Sequence, residues 1–421
     1  MSKISIELLK GRWIFAVGPL RISIISGKID VFGWEYKKDD ELIIQEFRSA
    51  PILALENSKI TIQFSEKSYI SVSDKPLIPD EWKKFAEECL NKKKKPLKIM
   101  VIGSVDTGKT GLVTFLANYF LKKKKKIAVI DADTGQQDIA FPTCIGMGFV
   151  EKPITHLSEI EMSDAFFIGR TSPAELFDRV LVGLRFLMKK ALENHAEIIL
   201  LDTTGWVFDL GRELKISKIL STEPDMIALL EAENELYHYE ATLKEIARGL
   251  NVKIRHLPAS PVLRARTREE RREIRKRLYL KAFVDAKEIS LKLHDLSILY
   301  GYIGTGKLTK IDELICEEHP EKIIIFSQKD IEADIIKAIE EKFNKKTIVF
   351  NPDELKEILV GLIDKNMHFL GLGIVSNYNP ETDEIKIYTR APQDKIVGLI
   401  WGLMKITING EEKAWLKPWQ I

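Results

Sequence analysis

Apolar and polar residues alternate through the first 75 positions, the period of half-buried β-strands. "RISIISGKIDVFGWEY" carries the alternation to both sides of Gly27-Lys28, which predicts a hairpin turn there. "KITIQFS" and "YISVSD" continue it, so a small β-sandwich or barrel-like domain is expected. "PDEWKKFAEECLNKKKKP" changes to helical spacing, with a start near Asp80 and a stop before Pro96. The first expected domain is therefore β-rich, spans 1–95 and ends in this connector helix.

From Leu97 apolar runs alternate with helical stretches. "KIAVID", "EIILLD" and "DMIALLEA" read as buried strands, and the first two end in Asp131 and Asp202. Such alternation predicts a parallel sheet covered by helices, with ligands bound beyond the carboxyl ends of its strands. This second domain is expected over 96–310. "KIIIFS", "KTIVFN", "HFLGLGIVSNY" and "EIKIYTRA" read as strands and "DIEADIIKAIEEKF" as a helix, so a C-terminal β-containing α+β domain is expected over 311–421. The fold class is α/β, a central P-loop sheet flanked by helices between two β-containing domains.

"KIMVIGSVDTGKTGLVTFLANYF" joins a short apolar strand to a helix through G-x-x-x-x-G-K-[ST]. Over Gly103, Ser104, Val105, Asp106, Thr107 and Gly108 the backbone N–H groups can turn inward around phosphate oxygens, and the helix that includes Gly111 aims its positive end at the same place. Lys109 reaches the β- and γ-phosphates and Thr110 offers its hydroxyl to Mg²⁺. A P-loop announces a nucleotide, and the acceptor has to be read elsewhere.

Charge and composition narrow the classes. The net charge is +2, which excludes a globally basic nucleic-acid coat, and the cationic residues are local: lysine runs at 92–95 and 122–126, and seven arginines within 264–277. The lysine runs read as solvated faces or weak phosphate attractors. No apolar run reaches membrane-spanning length and the first residues lack the apolar core of a signal peptide, so a cytoplasmic protein with no membrane partner is expected. Three cysteines without metal spacing point to a reducing compartment and to no structural zinc.

Three segments bear on the chemistry. "DADTGQQD" sets Asp131 and Asp133 two apart at a strand end, where one carboxylate can hold Mg²⁺ through water and the other can orient and deprotonate a hydroxyl. "LLDTTGWV" offers Asp202 and Gly205 as a Walker-B-type or switch-like D-x-x-G, and Trp206 as either core or a stacking surface for a base. Which aspartate dominates the metal stays open at this point. "SPVLRARTREERREIRKRLYLKAF" is dense in helix formers from Arg264, and Arg264, Arg268, Arg271 and Arg275 share one helical face. Such a helix reads as a salt-bridged surface or, beside a P-loop, as a lid that brings guanidinium groups to the transferring phosphoryl.

Taken together, "GSVDTGKT", "DADTGQ", "FFIGRTSP", "DTTGW" and "SPVLRARTREERREIRKR" resemble the polynucleotide 5′-hydroxyl kinases related to the pre-mRNA cleavage and tRNA-splicing RNA kinases, in their archaeal form. The resemblance covers about residues 98–283, and "SGKIDVFGWEY" resembles that family's N-terminal β domain. It implies ATP and Mg²⁺ as cofactors and the 5′-hydroxyl end of RNA, with DNA left open, as acceptor. Lys109 and Thr110 would serve ATP and Mg²⁺, Asp133 would be the general base, and Asp131 would lie in the metal's water shell. Gln136 belongs to the same motif. Thr171, Ser172 and Pro173 would clasp the RNA end, and Trp206 would stack on its terminal base. Arg266, Arg271 and Arg275 would be lid arginines, Arg271 the one at the transferring phosphoryl. Glu7 is the expected contact of the N-terminal domain with adenine. The helical-face reading prefers Arg264 and Arg268 to Arg266, and both readings hold only if Arg266 precedes the helix.

Two rival readings accompany this one. A GTP-dependent switch would use "DTTG" at 202–205 and "TKID" at 309–312, although an arginine-rich segment between them has no place in such a switch. A scaffold that binds ATP and RNA without catalysis would be expected to lack some of Lys109, Thr110, Asp133 and Arg271, and all four are present.

Overall fold

The computed structural model describes residues 2–92, 94–262, 264–417 and 421; Lys93 of the first lysine run and Leu263 of the arginine-rich segment lie outside the described residues. The chain forms two compact units. The first takes residues 1–140, 145–164 and 176–271, and the second 141–144, 165–175 and 272–421.

In the first unit the alternating N-terminal strands build two antiparallel sheets, one of four strands and one of five. Their inward residues, such as Ile22, Ile60 and Ile62 of one and Ile14, Ile29 and Ile52 of the other, share one core. The expected hairpin at Gly27-Lys28 is not formed. Leu20–Ser26 pairs within the four-stranded sheet, whereas Lys28–Val31 pairs within the five-stranded one. Gly27, at φ +83°, is thus a corner between sheets. The hairpin lies one turn later, where Val31 faces Trp34 across a two-residue loop of Phe32 and Gly33, both at positive φ.

The connector helix Asp80–Leu90 buries Trp82, Phe85, Ala86 and Cys89, and the same apolar cluster runs from the sandwich through this helix into the sheet that follows. That sheet has seven strands, with Leu97–Gly103 between Ile198–Thr203 and Met226–Glu231. The pairings among Ile127–Ala132, Ile198–Thr203, Leu97–Gly103, Met226–Glu231 and Lys253–Pro258 are parallel. The sheet is not wholly parallel: Cys144–Phe149 runs antiparallel to Ile127–Ala132. No helix intervenes between those two strands, and a short return of that kind brings the chain back in the opposite sense.

The lysine runs anchor the far end of this sheet. Lys95 and Lys125 both bond Glu197, which precedes one strand, and Lys94 bonds Asp225, which precedes another. These three lysines lie at the amino ends of the strands, opposite the ends where ligands bind.

The second unit contains a seven-stranded sheet that includes Lys287–Lys292, Ser297–Leu299 and the long Phe369–Asn379 and Gly398–Ile406. The chain therefore enters this sheet before residue 310, because Lys287–Lys292 pairs with Glu384–Thr389. A four-stranded sheet with the helix Ala333–Phe343 carries its own small core of Ile311, Cys316, Ile323, Ile325 and Ile339. "TKID" lies at the tip of the Lys307–Ile311/Leu314–Glu318 hairpin in that sheet, and its strand is not one of the seven that carry the P-loop. A guanine-recognising loop follows a strand of the nucleotide sheet itself, so the tetrapeptide has no such role. Among the described residues no helix is long and apolar enough to cross a membrane.

Candidate active site

The strand Leu97–Gly103 ends at the P-loop and the helix Lys109–Lys122 begins behind it. The loop needs left-handed backbone at Asp106 (φ +57°) and Gly108 (φ +92°), and only glycine adopts the latter without strain. Thr107 Oγ1 donates to the Ser104 carbonyl at 2.9 Å, and the buried Lys109 Nζ donates to the same oxygen at 2.6 Å. Burial lowers the Lys109 pKa and the nearby Asp202 and Asp133 raise it in part. Gly205 of the D-T-T-G turn lies against the loop so closely that a Cβ would sit 2.7 Å from Val105 Cα. Two backbones meet there without a side chain between them.

The parallel register sets Asp131 beside Asp202 and Ala132 beside Thr203. Thr110 Oγ1 donates to Asp202 Oδ2 at 2.8 Å, and the Thr203 N–H donates to Asp202 Oδ1 at 2.9 Å. Burial pushes Asp202 up to about 6, against the pull of Lys109 and the Thr110 bond. Asp131 is buried and raised well above the ordinary carboxyl range, first by burial and then by Asp138, Asp202 and Asp133. Its oxygens accept from the N–H groups of Asp133 (3.0 Å) and Asp138 (2.6 Å). Asp133 Oδ1 caps the following turn by accepting from Gly135 and Gln136, each at 2.9 Å. The structure thus brings together Lys109, Thr110, Asp131, Asp133 and Asp202 around one cavity.

The arginine helix runs from Arg268 to Phe283, so Arg264 and Arg266 both precede it and the expected helical face from Arg264 is not formed. Its start is a capping box, Thr267-x-x-Glu270: Glu270 N–H donates to Thr267 Oγ1 and Thr267 N–H to Glu270 Oε2, both at 3.1 Å. Arg264 pairs with Glu270 at 2.6 Å from the extended segment. Arg266 reaches Gln136 Oε1 at 3.4 Å and lines the cavity, and burial lowers it to about 10. Arg271 pairs with Asp106 of the P-loop at 3.0 Å. Arg275, three residues beyond Arg272 where the second unit resumes, is held by both oxygens of Glu412 at 2.6 and 3.1 Å.

Trp206 is half-buried, edge-on to Phe177 at 6.2 Å and tight against Gly211. Thr171, Ser172 and Pro173 belong to the second unit, on the loop that opens with the buried Arg170, whose partner is Glu175 at 3.0 Å. Glu7 stands on an outer strand as the cross-strand partner of Lys59, with its side chain 79% exposed. It is not among the residues lining the cavity. The N-terminal domain lines it instead with Phe15, Phe32, Ser49 and Pro51, and Ile78, Trp82 and Val262 extend the apolar wall. Trp82 is fixed there by Nε1–H donation to the Pro258 carbonyl at 3.0 Å. In sequence these apolar residues are indistinguishable from core.

A second unforeseen group is Arg48, Asp138 and His156. Arg48 Nη2 donates to Asp138 Oδ1 at 2.5 Å, and His156 Nε2 lies 3.6 Å from the other oxygen. Burial, with Arg48 adding to it, holds the His156 pKa down to about 3. The unfolded chain binds a proton there near pH 6.5 and the folded chain does not. The folded state is therefore penalised progressively as pH falls from about 6.5 toward 3, by a few kcal/mol when complete. The melting temperature should fall between pH 7 and pH 5, and His156→Gln should narrow that fall; an equal fall in the variant would assign the acid sensitivity to other groups.

A family profile described as the mRNA cleavage and polyadenylation factor CLP1 P-loop matches residues 103–284. A polyribonucleotide 5′-hydroxyl-kinase of Methanocaldococcus jannaschii is 32% identical over 339 residues, 78% of this chain and 92% of that one. A polyribonucleotide 5′-hydroxyl-kinase of Pyrococcus abyssi is 30% identical over 336 residues, 78% of this chain and 93% of that one. Among solved structures, Clp1p in complex with a segment of Pcf11p has the same fold, with a TM-score of 0.67 over 96% of this chain and 98% of that one at 14% identity.

Proposed function

The chain belongs to the polyribonucleotide 5′-hydroxyl-kinase family, and from that membership we propose that it transfers the γ-phosphate of ATP to the 5′-hydroxyl of an RNA strand. The observation that carries the proposal is the convergence of a P-loop lysine, three strand-end carboxylates and Arg266 on one cavity with an apolar wall, with Arg271 paired to Asp106 of the P-loop that lines it. The apolar end, with Phe15, Phe32 and Trp82, suits a planar base, and the P-loop end suits a polyphosphate.

The donors fit Mg²⁺. Thr110 Oγ1 and the Asp202 and Asp131 carboxylates are hard oxygens at the strand ends beside the phosphate loop. Bound there, Mg²⁺ supplies charge stabilisation to the phosphates. Asp133 orients the 5′-hydroxyl and takes its proton. Lys109, Arg266 and Arg271 supply positive charge along the triphosphate, so catalysis is mainly positioning and charge stabilisation. Thr171, Ser172 and Pro173 clasp the strand end and Trp206 stacks on its base, contacts with little sequence preference. Arg275 acts from the lid helix. The proposed organisation keeps residues 1–95 as the domain that closes over adenine and the P-loop sheet as the kinase domain with its lid at 260–283; the accessory C-terminal domain, expected from 311, begins earlier, because Lys287–Lys292 already pairs with Glu384–Thr389.

The test is end-labelling with γ-labelled ATP, Mg²⁺ and matched RNA and DNA oligonucleotides, with GTP and 5′-phosphorylated controls alongside. Label on 5′-hydroxyl RNA and none on the phosphorylated controls is the expected result, and the DNA lanes rank the second acceptor. Nucleotide binding with no label on any oligonucleotide would sink the kinase reading in favour of a scaffold, and strict GTP preference would favour a switch.

A further inference from the structure

The loop that carries Trp206 continues outward. Val207 is wholly buried, and Phe208 beyond it is 50% exposed. Asp209 then takes φ +48° and ψ −127°, a strained conformation for any residue but glycine, and the helix Leu210–Thr222 begins. A second loop meets this one. It follows the strand Met226–Glu231 and carries His238 and Tyr237, the latter 67% exposed. The His238 ring stacks on the Phe208 ring, with centroids 5.3 Å apart and planes at 22°, and Tyr237 stands edge-on to His238 at 5.7 Å.

Both loops are fixed. The Val207 carbonyl fastens them together: Tyr239 Oη donates to it at 2.9 Å, and His238 Nε2 lies 3.1 Å from it. Each loop is also tied to the P-loop. Gly205 packs on Val105, and Ser104 Oγ donates to Glu235 Oε1 at 2.9 Å. Two aromatic rings are thus held toward solvent beside the phosphate loop, at the carboxyl ends of the central strands. Exposed apolar residues scattered singly are ordinary, whereas a group of them held together marks an interaction site. The charges nearby select its ligand. Arg212, whose Nε donates to the His238 carbonyl at 3.4 Å, is engaged by Glu213 and Thr242, each at 2.7 Å. Asp209, Glu213 and Glu240 are exposed acids of the same segments. This surface offers phosphate no grip, and its rings can take the uncharged face of a base.

We infer that Phe208 and Tyr237 form a stacking platform for the nucleobases that follow the first one of the acceptor strand, with the second base on the Phe208 face that His238 leaves open. Trp206 and Phe208 flank the inward Val207, so both rings stand on the outer side of the loop. Base–aromatic stacking tolerates any base but needs an unpaired one. The platform therefore selects strands with single-stranded 5′ ends and reads no sequence there. The inference rests on the kinase reading in taking RNA as the acceptor, with its first base at Trp206.

The test uses the full chain, a short 5′-hydroxyl RNA, and the same strand with abasic residues at its second and third positions, which keeps every phosphate and 2′-hydroxyl. Binding is read by anisotropy of a 3′ dye, and transfer by end-labelling. Wild-type protein should bind the intact strand about 10-fold more tightly than the abasic one. The factor should be the same at low and high salt, because the bases carry no charge. The double variant Phe208→Ala, Tyr237→Ala should bind both strands alike. Equal affinity of wild-type protein for the two strands would overturn the inference even if the variant failed to fold, and so would a folded variant that keeps the full preference. End-labelling separates the two readings. Label on both strands with equal wild-type affinity removes the platform and keeps the kinase; preference for the intact strand with no label on either does the reverse.

Discussion

Asp133→Asn lowers the rate of transfer to an RNA 5′-hydroxyl by about 10²–10⁴-fold, the contribution of a positioned general base, while ATP binding changes little. Asp133 Oδ1 accepts from the Gly135 and Gln136 N–H groups, and asparagine keeps that oxygen, so the turn after the strand survives. What asparagine loses is the ability to take a proton from an attacking hydroxyl. The measurement is single-turnover end-labelling beside calorimetric ATP binding. Near-normal transfer in a folded variant would remove Asp133 from the role of base, and loss of ATP binding together with transfer would make it a structural residue.

Lys109→Met has an effect of similar size, about 10³-fold on transfer, for an electrostatic reason. The Lys109 ammonium is buried among the P-loop carbonyls, where it donates to Ser104, and it is the cation that the loop can offer to the β- and γ-phosphates. Its burial also costs stability, as the lowered pKa reports. Methionine fills similar space without that cost. The variant should therefore melt at the same temperature as wild type or higher while losing transfer. A melting temperature several degrees lower would mean that the lysine holds the loop's shape, and unchanged transfer would displace the P-loop from the chemistry.

Much of this site is legible in the sequence because it is built from local patterns. A phosphate loop needs its glycines and its Lys-Thr in consecutive positions, so "GSVDTGKT" declares itself. Asp131 and Asp202 close apolar runs, and a parallel sheet places such ends together. The arginine helix was legible only in part. "TREE" is a capping box that marks the start at Arg268, but four arginines at helical spacing suggested a start at Arg264. The local cap prevailed over the periodicity, and Arg266 lies in the extended segment, where it reaches Gln136. Gly27 misled for a related reason: alternation on both sides of a glycine looks the same whether the strands pair with each other or part into two sheets.

The sequence by itself determined the strand, glycine loop and helix of the P-loop, the three central strands around it and the acids that end two of them. Each of these depends on residues a few positions apart, whose geometry a helix or a strand imposes. Only the tertiary structure decided what surrounds them. Trp82 and Phe32, distant in sequence, line the apolar end of the cavity, and Arg48 reaches Asp138 across 90 positions. Lys215 and Lys218 of the helix Leu210–Thr222 are not singled out by the sequence, and the packing of that helix buries them, with Nζ donating to the Thr204 and Ala132 carbonyls. Whether a charge is solvated or buried depends on which neighbour covers it, and no local pattern carries that information.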